Sequence, residues 1–82
     1  MAKYNRNDMA LVNVGNNIRK YRKLNRLTIV ELEYKTNIHQ KSLWAYETAK
    51  TSVSITNLYI IAEALNVQAY ELLMPYEENV TQ

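Results

Sequence analysis

The near absence of glycine and proline is the feature that most limits what this chain can fold into. Its 82 residues include only one of each, Gly15 and Pro75. Sheets with tight hairpins need such residues at their turns, whereas helices can be joined by short turns of Asn, Ser and Thr. The sequence therefore predicts an all-α protein, and a chain of 82 residues can form at most one domain.

The composition excludes several classes of protein. There is no cysteine and only one histidine, His39, so neither a disulfide framework nor a zinc site can form within the chain. No nucleophile–base pair and no glycine-rich phosphate loop is present, so we expect no catalytic residue, metal, cofactor or small-molecule ligand. The N-terminus does not resemble a signal peptide, and no apolar run approaches the roughly 18 residues that span a membrane. We therefore expect a cytoplasmic protein that is not an enzyme and has no membrane partner.

Charge is divided between the two parts of the chain. All ten Lys and Arg residues lie at or before Lys50, against four acidic residues in the same stretch, for a net charge of +6. The remaining residues hold four Glu and no base, for a net charge of −4. Such segregation is typical of a polyanion-binding face with a separate, non-binding end, although helical surfaces also carry charge by chance.

Apolar spacing and capping residues predict five helices. Their expected ranges are about Val14–Leu24, Thr28–Thr36, Gln40–Thr48, Ser54–Asn66 and Gln68–Leu73. Residues 1–13 show no clear period and are predicted to be a flexible arm, which either reaches DNA or frays as an ordinary terminus. The domain proper is expected to span residues 14–74, and residues 75–82 are expected to form an acidic tail.

The function is predicted mainly from residues 28–49, two short helices joined by a tight turn. Thr28 is a suitable N-cap, and Glu31 three residues later completes a capping box. Asn37 stands at the turn, where it tolerates the left-handed conformation better than most residues.

In the second of these helices, Leu43 and Tyr46 fall on one side and are expected to face inward. Hydrogen-bonding and basic side chains on a compact basic domain suggest a protein that reads nucleic acid. The residues on the opposite side are Gln40, Lys41, Trp44, Ala45 and Thr48.

The ordered residues from Val14 to Leu73 resemble the helix-turn-helix family of the lambda-type phage repressors and Cro proteins, also called the XRE family. The resemblance implies a compact five-helix lambda-repressor-like domain that binds double-stranded operator DNA, usually as a dimer, and regulates transcription. It is carried by Gly15, Ile18, Arg22, Leu27, Thr28, Leu32, Thr36, Asn37, Ile38, Leu43, Tyr46, Glu47, Leu58, the stretch from Ile61 to Val67, and Glu71 to Leu73.

The resemblance implies a role for each matching position. Arg22 and Glu47 match an ion pair that joins the first helix to the end of the third. A glutamine suits adenine and a lysine suits guanine in the major groove. The positions that match base contacts are Gln40, Lys41, Trp44 and Ala45. The residues expected to contact phosphates are Thr28, His39, Ser42, Lys50 and Arg19, the last from the basic cluster of the first helix.

Some positions leave alternatives open. Trp44 either packs on a sugar or thymine methyl group or folds back as partial core. His39 stands where the family prefers a Ser or Thr N-cap, and it either contacts DNA or is an ordinary surface residue. Three positions depart from the family: Ile29 replaces a supporting Gln, Glu33 replaces a small residue, and Ala49 replaces a glycine in the left-handed conformation.

The base-free C-terminal region is the expected surface for a homodimer, although single exposed apolar residues are also normal on a monomer. The residues expected there are Tyr59, Ile60, Val67, Tyr70 and Met74. We therefore predict a transcriptional regulator that binds DNA sequence-specifically, namely a repressor on a two-fold symmetric operator. The alternative is an antitoxin or another protein-binding module with the same fold.

Overall fold

Five helices form the part of the protein that the computed structural model describes, residues 6–77, and no strand occurs within that part. The predicted all-α, five-helix architecture is confirmed. None of the described helices is both long and apolar enough to cross a membrane. The helices are α1 (Arg6–Leu24), α2 (Ile29–Thr36), α3 (Gln40–Glu47), α4 (Ile55–Ala64) and α5 (Ala69–Leu73).

Helix α1 begins at Arg6, well before the predicted start at Val14. The prediction of a flexible arm over residues 1–13 is therefore wrong for residues 6–13, while residues 1–5 lie outside the described residues. Leu11 continues the spacing of the buried face toward the N-terminus, and it lines an apolar groove with Val14 and Leu58. This packing extends α1 beyond the part that the sequence period alone indicated.

The turns use four non-glycine residues with positive φ: Arg26 at 59°, Asn37 at 60°, Ala49 at 61° and Asn66 at 62°. Each follows one of the first four helices, which explains how a chain with one glycine makes so many sharp turns. The left-handed conformation predicted for Asn37 is confirmed. Ala49 keeps the conformation of the glycine that it replaces, at a cost of about 1 kcal/mol.

The apolar core lies between all five helices. Helix α1 packs on α3 and α5, α2 packs on α3 and α4, and α4 packs on α5. Leu24, the last residue of α1, is 41% exposed because it lies one turn beyond Lys20 on the outer face of the helix. The buried apolar residues are Ile18, Leu32, Ile38, Leu43, Tyr46, Leu58, Ile61, Ala62, Leu65 and Leu72.

Two asparagines of α1 hold the chain that follows α5. The amide nitrogen of Asn17, which is almost fully buried, donates to the carbonyl oxygens of Leu72 at 3.0 Å and Met74 at 2.6 Å. Asn13 also donates to the Met74 oxygen, at 2.8 Å, and its own side-chain oxygen accepts from the backbone N–H of Tyr76. Tyr76 is therefore attached to the domain, so the predicted tail over residues 75–82 starts too early. Residues 78–82 lie outside the described residues.

Gly15 sets the approach of α1 to α3. A Cβ atom at this position would lie closer to the Tyr46 carbonyl oxygen than real contacts allow, and 3.0 Å from the Glu47 oxygen. Both obstacles are backbone atoms, so relief requires one helix to move. The two helices can pack at this distance only because residue 15 has no side chain.

Gly15→Ala should therefore lower the free energy of unfolding by about 1–3 kcal/mol, the usual cost of overpacking. The clash must outweigh the better helix propensity of alanine, about 1 kcal/mol. Chemical denaturation monitored by circular dichroism would measure the change. Asn16→Ala is the matched control, because residue 16 lies on the outer face of α1 and should show no loss. A Gly15→Ala variant as stable as the wild type would contradict the close packing.

Candidate nucleic-acid interface

An ion pair between Arg22 and Glu47 fixes the inner side of α3. The Arg22 Nε donates to Glu47 Oε2 at 2.7 Å and Nη2 donates to Oε1 at 2.9 Å, a bidentate arrangement. The side chains are 11% and 4% exposed, respectively. A third bond from Arg22 Nη1 to the Leu27 carbonyl oxygen, at 2.8 Å, adds the turn before α2. One guanidinium group thus joins α1, the α1–α2 turn and the end of α3.

The same contact changes the titration of the guanidinium group. The hydrogen bonds to Glu47 and the charge of that carboxylate raise the pKa of Arg22 above its usual value, although burial opposes the shift. Because the folded-state pKa is the higher one, this contribution to stability is fully present below the ordinary titration range of arginine. It is lost only as the pH rises through the raised value. The guanidinium group of Arg22 therefore keeps its charge at all physiological pH values.

Helix α3 has one buried side and one exposed side. Leu43, Tyr46 and Glu47 are buried, and the Tyr46 hydroxyl accepts a bond of 2.9 Å from Asn57 on α4. Trp44 is 50% exposed and is not part of the core, so the alternative that it folds back into the core is wrong. Of the other predicted base-contacting residues, Gln40 and Lys41 are exposed and Ala45 is half-buried.

His39 caps the N-terminus of α3. Its Nδ1 accepts from the backbone N–H of Lys41 at 3.0 Å. A nitrogen that accepts in this way carries no proton, so Nε2 bears the hydrogen of the neutral ring and can donate it to another acceptor. The imidazole therefore caps the helix in place of the Ser or Thr that the family prefers at this position.

Thr28 and Glu31 form the predicted capping box at the start of α2. The Thr28 hydroxyl oxygen accepts from the Glu31 N–H at 3.0 Å, and the Thr28 N–H donates to the Glu31 carboxylate at 2.8 Å. The hydroxyl hydrogen takes no part in these bonds and can be donated to a phosphate oxygen.

One contact of Gln40 was not predicted. Its Nε2 donates to Oε1 of Glu33 on α2, at 3.2 Å. Glu33 is half-buried and stands where the family usually has a small residue. The two residues are seven positions apart and on different helices, so no local spacing rule connects them.

The remaining predicted phosphate contacts fall in two places. Lys50 is exposed just after α3, and Ser42 is half-buried within it. Arg19 is exposed on α1, where it lines a depression with Lys20, Lys23 and Tyr76. It is therefore part of the basic cluster of α1.

The residues predicted for the dimer interface do not all line the same depression. Tyr59, Ile60 and Val67 line one depression on α4 and the following turn. Tyr70 on α5 is 63% exposed. Met74 lines a different depression, beside Pro75, and so does not extend the first one.

Comparison with known proteins agrees with this geometry. A family model described as "Helix-turn-helix" matches residues 18–72. The chain belongs to this family. These are DNA-binding transcriptional regulators, and the resemblance drawn from the sequence is confirmed.

Three individual proteins are similar to the chain. An uncharacterized HTH-type transcriptional regulator, y4dJ, from Sinorhizobium fredii is 32% identical over 65 residues, covering 79% of this chain and 84% of that protein. The restriction-modification controller protein C.AhdI from Aeromonas hydrophila has a TM-score of 0.73 at 26% identity, over 76% of this chain and 94% of its own. The hypothetical transcription factor NHTF from Neisseria has a TM-score of 0.79 over 92% of this chain and 86% of its own; at 24% identity it supports the fold alone.

A double-mutant cycle tests the contribution of the Arg22–Glu47 ion pair to stability. Glu47→Ala should lower the free energy of unfolding by about 3–5 kcal/mol, because it leaves a buried guanidinium group without its partner. The double variant Arg22→Met/Glu47→Ala should be clearly more stable than that single variant, since it removes both charges together. Urea denaturation of the wild type, Arg22→Met, Glu47→Ala and the double variant gives the coupling energy. A loss below about 1 kcal/mol in Glu47→Ala would show that the pair is exposed to solvent and weak.

Proposed function

We propose that this protein is a transcriptional repressor that binds a two-fold symmetric operator as a homodimer, with α3 in the major groove. The observation that carries the proposal is the division of α3 into a side fixed by Arg22 and a side that presents exposed polar and basic groups. A helix held in this way can enter the groove without rearrangement.

Four residues of α3 are proposed to read bases. The Gln40 amide can bond adenine N6 and N7, and the Lys41 ammonium group can donate to guanine O6 and N7. Trp44, half-exposed, would lie against a sugar or a thymine methyl group. Ala45 would offer a methyl contact or leave room for the helix to approach.

Phosphate contacts are proposed around the same helix. Thr28, His39 and Lys50 are exposed, and the first two keep a hydrogen to donate after capping their helices. Ser42 would donate from the side of α3. Arg19 would contribute from the exposed basic cluster of α1.

The homodimer is proposed because a single domain contacts few phosphates. Two domains related by a two-fold axis can read half-sites about 34 Å apart. We propose that the partner binds the surface formed by Tyr59, Ile60, Val67 and Tyr70, with Met74 at a separate edge. The similarity to a restriction-modification controller protein supports a regulator of this size.

The exposed indole of Trp44 favours one other function, an antitoxin or protein-binding module that uses the same face of α3. The two functions respond differently to salt. Binding through phosphates weakens steeply with salt, with a slope near −0.9 per phosphate contact on a logarithmic scale. A mostly apolar protein contact would change little over the same range.

In vitro selection from a random DNA pool tests the proposal, and a two-fold symmetric consensus is the expected result. Gln40→Ala should cost about 1–3 kcal/mol on that consensus and relax one base position in each half-site. Lys50→Ala should weaken binding to all sequences about equally and reduce the salt slope by about 1 for each half-site. An unchanged site preference in Gln40→Ala would overturn the assignment of base contacts.

Sedimentation over a concentration series tests the homodimer. Tyr59→Glu should shift the protein toward monomer by placing a charge in the proposed interface, because a buried, unpaired carboxylate is strongly unfavourable. Tyr34→Glu is the control, since Tyr34 is 93% exposed on α2 and is not one of the residues of the proposed interface. A wild-type protein that stays monomeric to high micromolar concentration, with and without operator DNA, would remove the dimer.

A further inference from the structure

The hydrogen bond between Gln40 and Glu33 has a consequence for base recognition. We infer that Glu33 is a specificity-determining residue, which fixes the Gln40 amide so that it selects adenine over guanine. The inference rests on the proposed function, in which Gln40 reads a base. It depends on one contact, from Gln40 Nε2 to Glu33 Oε1 at 3.2 Å.

The chemistry of the pair sets the orientation of the amide. An ionised carboxylate can only accept hydrogen bonds, so it must face the NH₂ group of Gln40 and would repel the carbonyl oxygen. A bond to a charged acceptor is also stronger than a neutral one. The amide is therefore held in one of its two flipped orientations before any DNA is bound.

This orientation leaves one N–H and the Oε1 atom for a base. Adenine offers the matching pair in the major groove, an N7 acceptor and an N6–H donor. Guanine offers two acceptors, N7 and O6. A glutamine whose second N–H is committed to Glu33 cannot donate to both, and its oxygen would oppose one of them. Discrimination thus arises from the neighbour of the reading residue as well as from that residue.

No other side chain within residues 8–77 forms a hydrogen bond with Gln40. Ile29 stands where many family members have a supporting glutamine, and its side chain has no polar atom. Glu33 therefore supplies a support that comes from a different position on α2. The departure at Glu33 is explained by this role, since a small residue there would leave the amide unrestrained.

The charge of Glu33 has a second, separable effect. A carboxylate beside the reading helix repels DNA phosphates whatever their sequence. Removing it should strengthen binding to every sequence while weakening the preference for adenine. A merely structural role for Glu33 would not produce these opposite changes.

Glu33→Gln and Glu33→Ala test the inference with paired duplexes that carry adenine or guanine at one position. That position is the one whose preference is lost in Gln40→Ala. We expect the adenine-to-guanine affinity ratio to fall about three- to tenfold in Glu33→Ala, as for the loss of one hydrogen bond, and by less in Glu33→Gln, whose amide oxygen can still accept from Gln40 but whose NH₂ group also permits the other orientation. Affinity for both duplexes should rise. Glu77→Gln, which removes the same charge near the C-terminus, should leave the ratio unchanged.

A double-mutant cycle and an NMR measurement complete the test. In a Gln40→Ala background, Glu33→Gln should no longer alter the ratio. In the DNA-free protein, the side-chain amide resonances of Gln40 should move in Glu33→Gln and stay in place in Glu77→Gln.

An unchanged ratio in both Glu33 variants, or unmoved Gln40 resonances, overturns the inference while leaving the proposed function intact. Failure of the proposed function is recognised separately. In that case the wild-type protein would select no sequence from the DNA pool.

Discussion

The position of α3 depends on one buried ion pair. Arg22 reaches Glu47 with two hydrogen bonds and the Leu27 carbonyl with a third, so three segments meet at one planar group. Gly15 makes this possible: it lies seven residues, or two helical turns, before Arg22 and on the same face of α1. There the missing side chain lets α1 approach the end of α3. A buried pair adds little net stability, because desolvation offsets the attraction, but it allows only one arrangement of the helices that it joins.

The two ends of α3 are held by hydrogen bonds to carboxylates, and these contacts differ in strength. At the C-terminal end, Glu47 is buried and its bonds to Arg22 are short, so the helix axis is fixed. At the N-terminal end, Glu33 is half-buried and its bond to Gln40 is longer and open to water. Such a bond contributes little to folding, yet it acts on a side chain that could otherwise rotate freely. The Arg22–Glu47 pair therefore fixes the position of α3, and the Gln40–Glu33 bond fixes the orientation of the Gln40 amide on its exposed side.

Local signals in the sequence predicted much of the fold. The capping box of Thr28 and the turn at Asn37 depend on neighbouring residues only, and both were predicted. The start of α1 was not, because Asn13, just before the predicted start, is a poor helix former whose amide is satisfied by chain 61 residues away. The Gln40–Glu33 bond was missed for a similar reason: it needs the crossing geometry of α2 and α3. The partnership of Arg22 and Glu47 came from family resemblance, since nothing in their spacing indicates a contact.

The departures from the family pattern differ in kind. Ala49 leaves the left-handed backbone conformation unchanged, with a φ of 61°, at a cost of only about 1 kcal/mol. Ile29 and Glu33 are related to each other through Gln40. With Ile29 in place of a polar residue, Gln40, which we propose reads a base, lacks one support, and Glu33 provides another from one turn further along α2. A carboxylate differs from an amide in that it can only accept hydrogen bonds and carries a negative charge. In the proposed complex, the exchange therefore removes one of the two orientations of the Gln40 amide and narrows the bases that Gln40 can recognise, at the expense of a negative charge close to DNA.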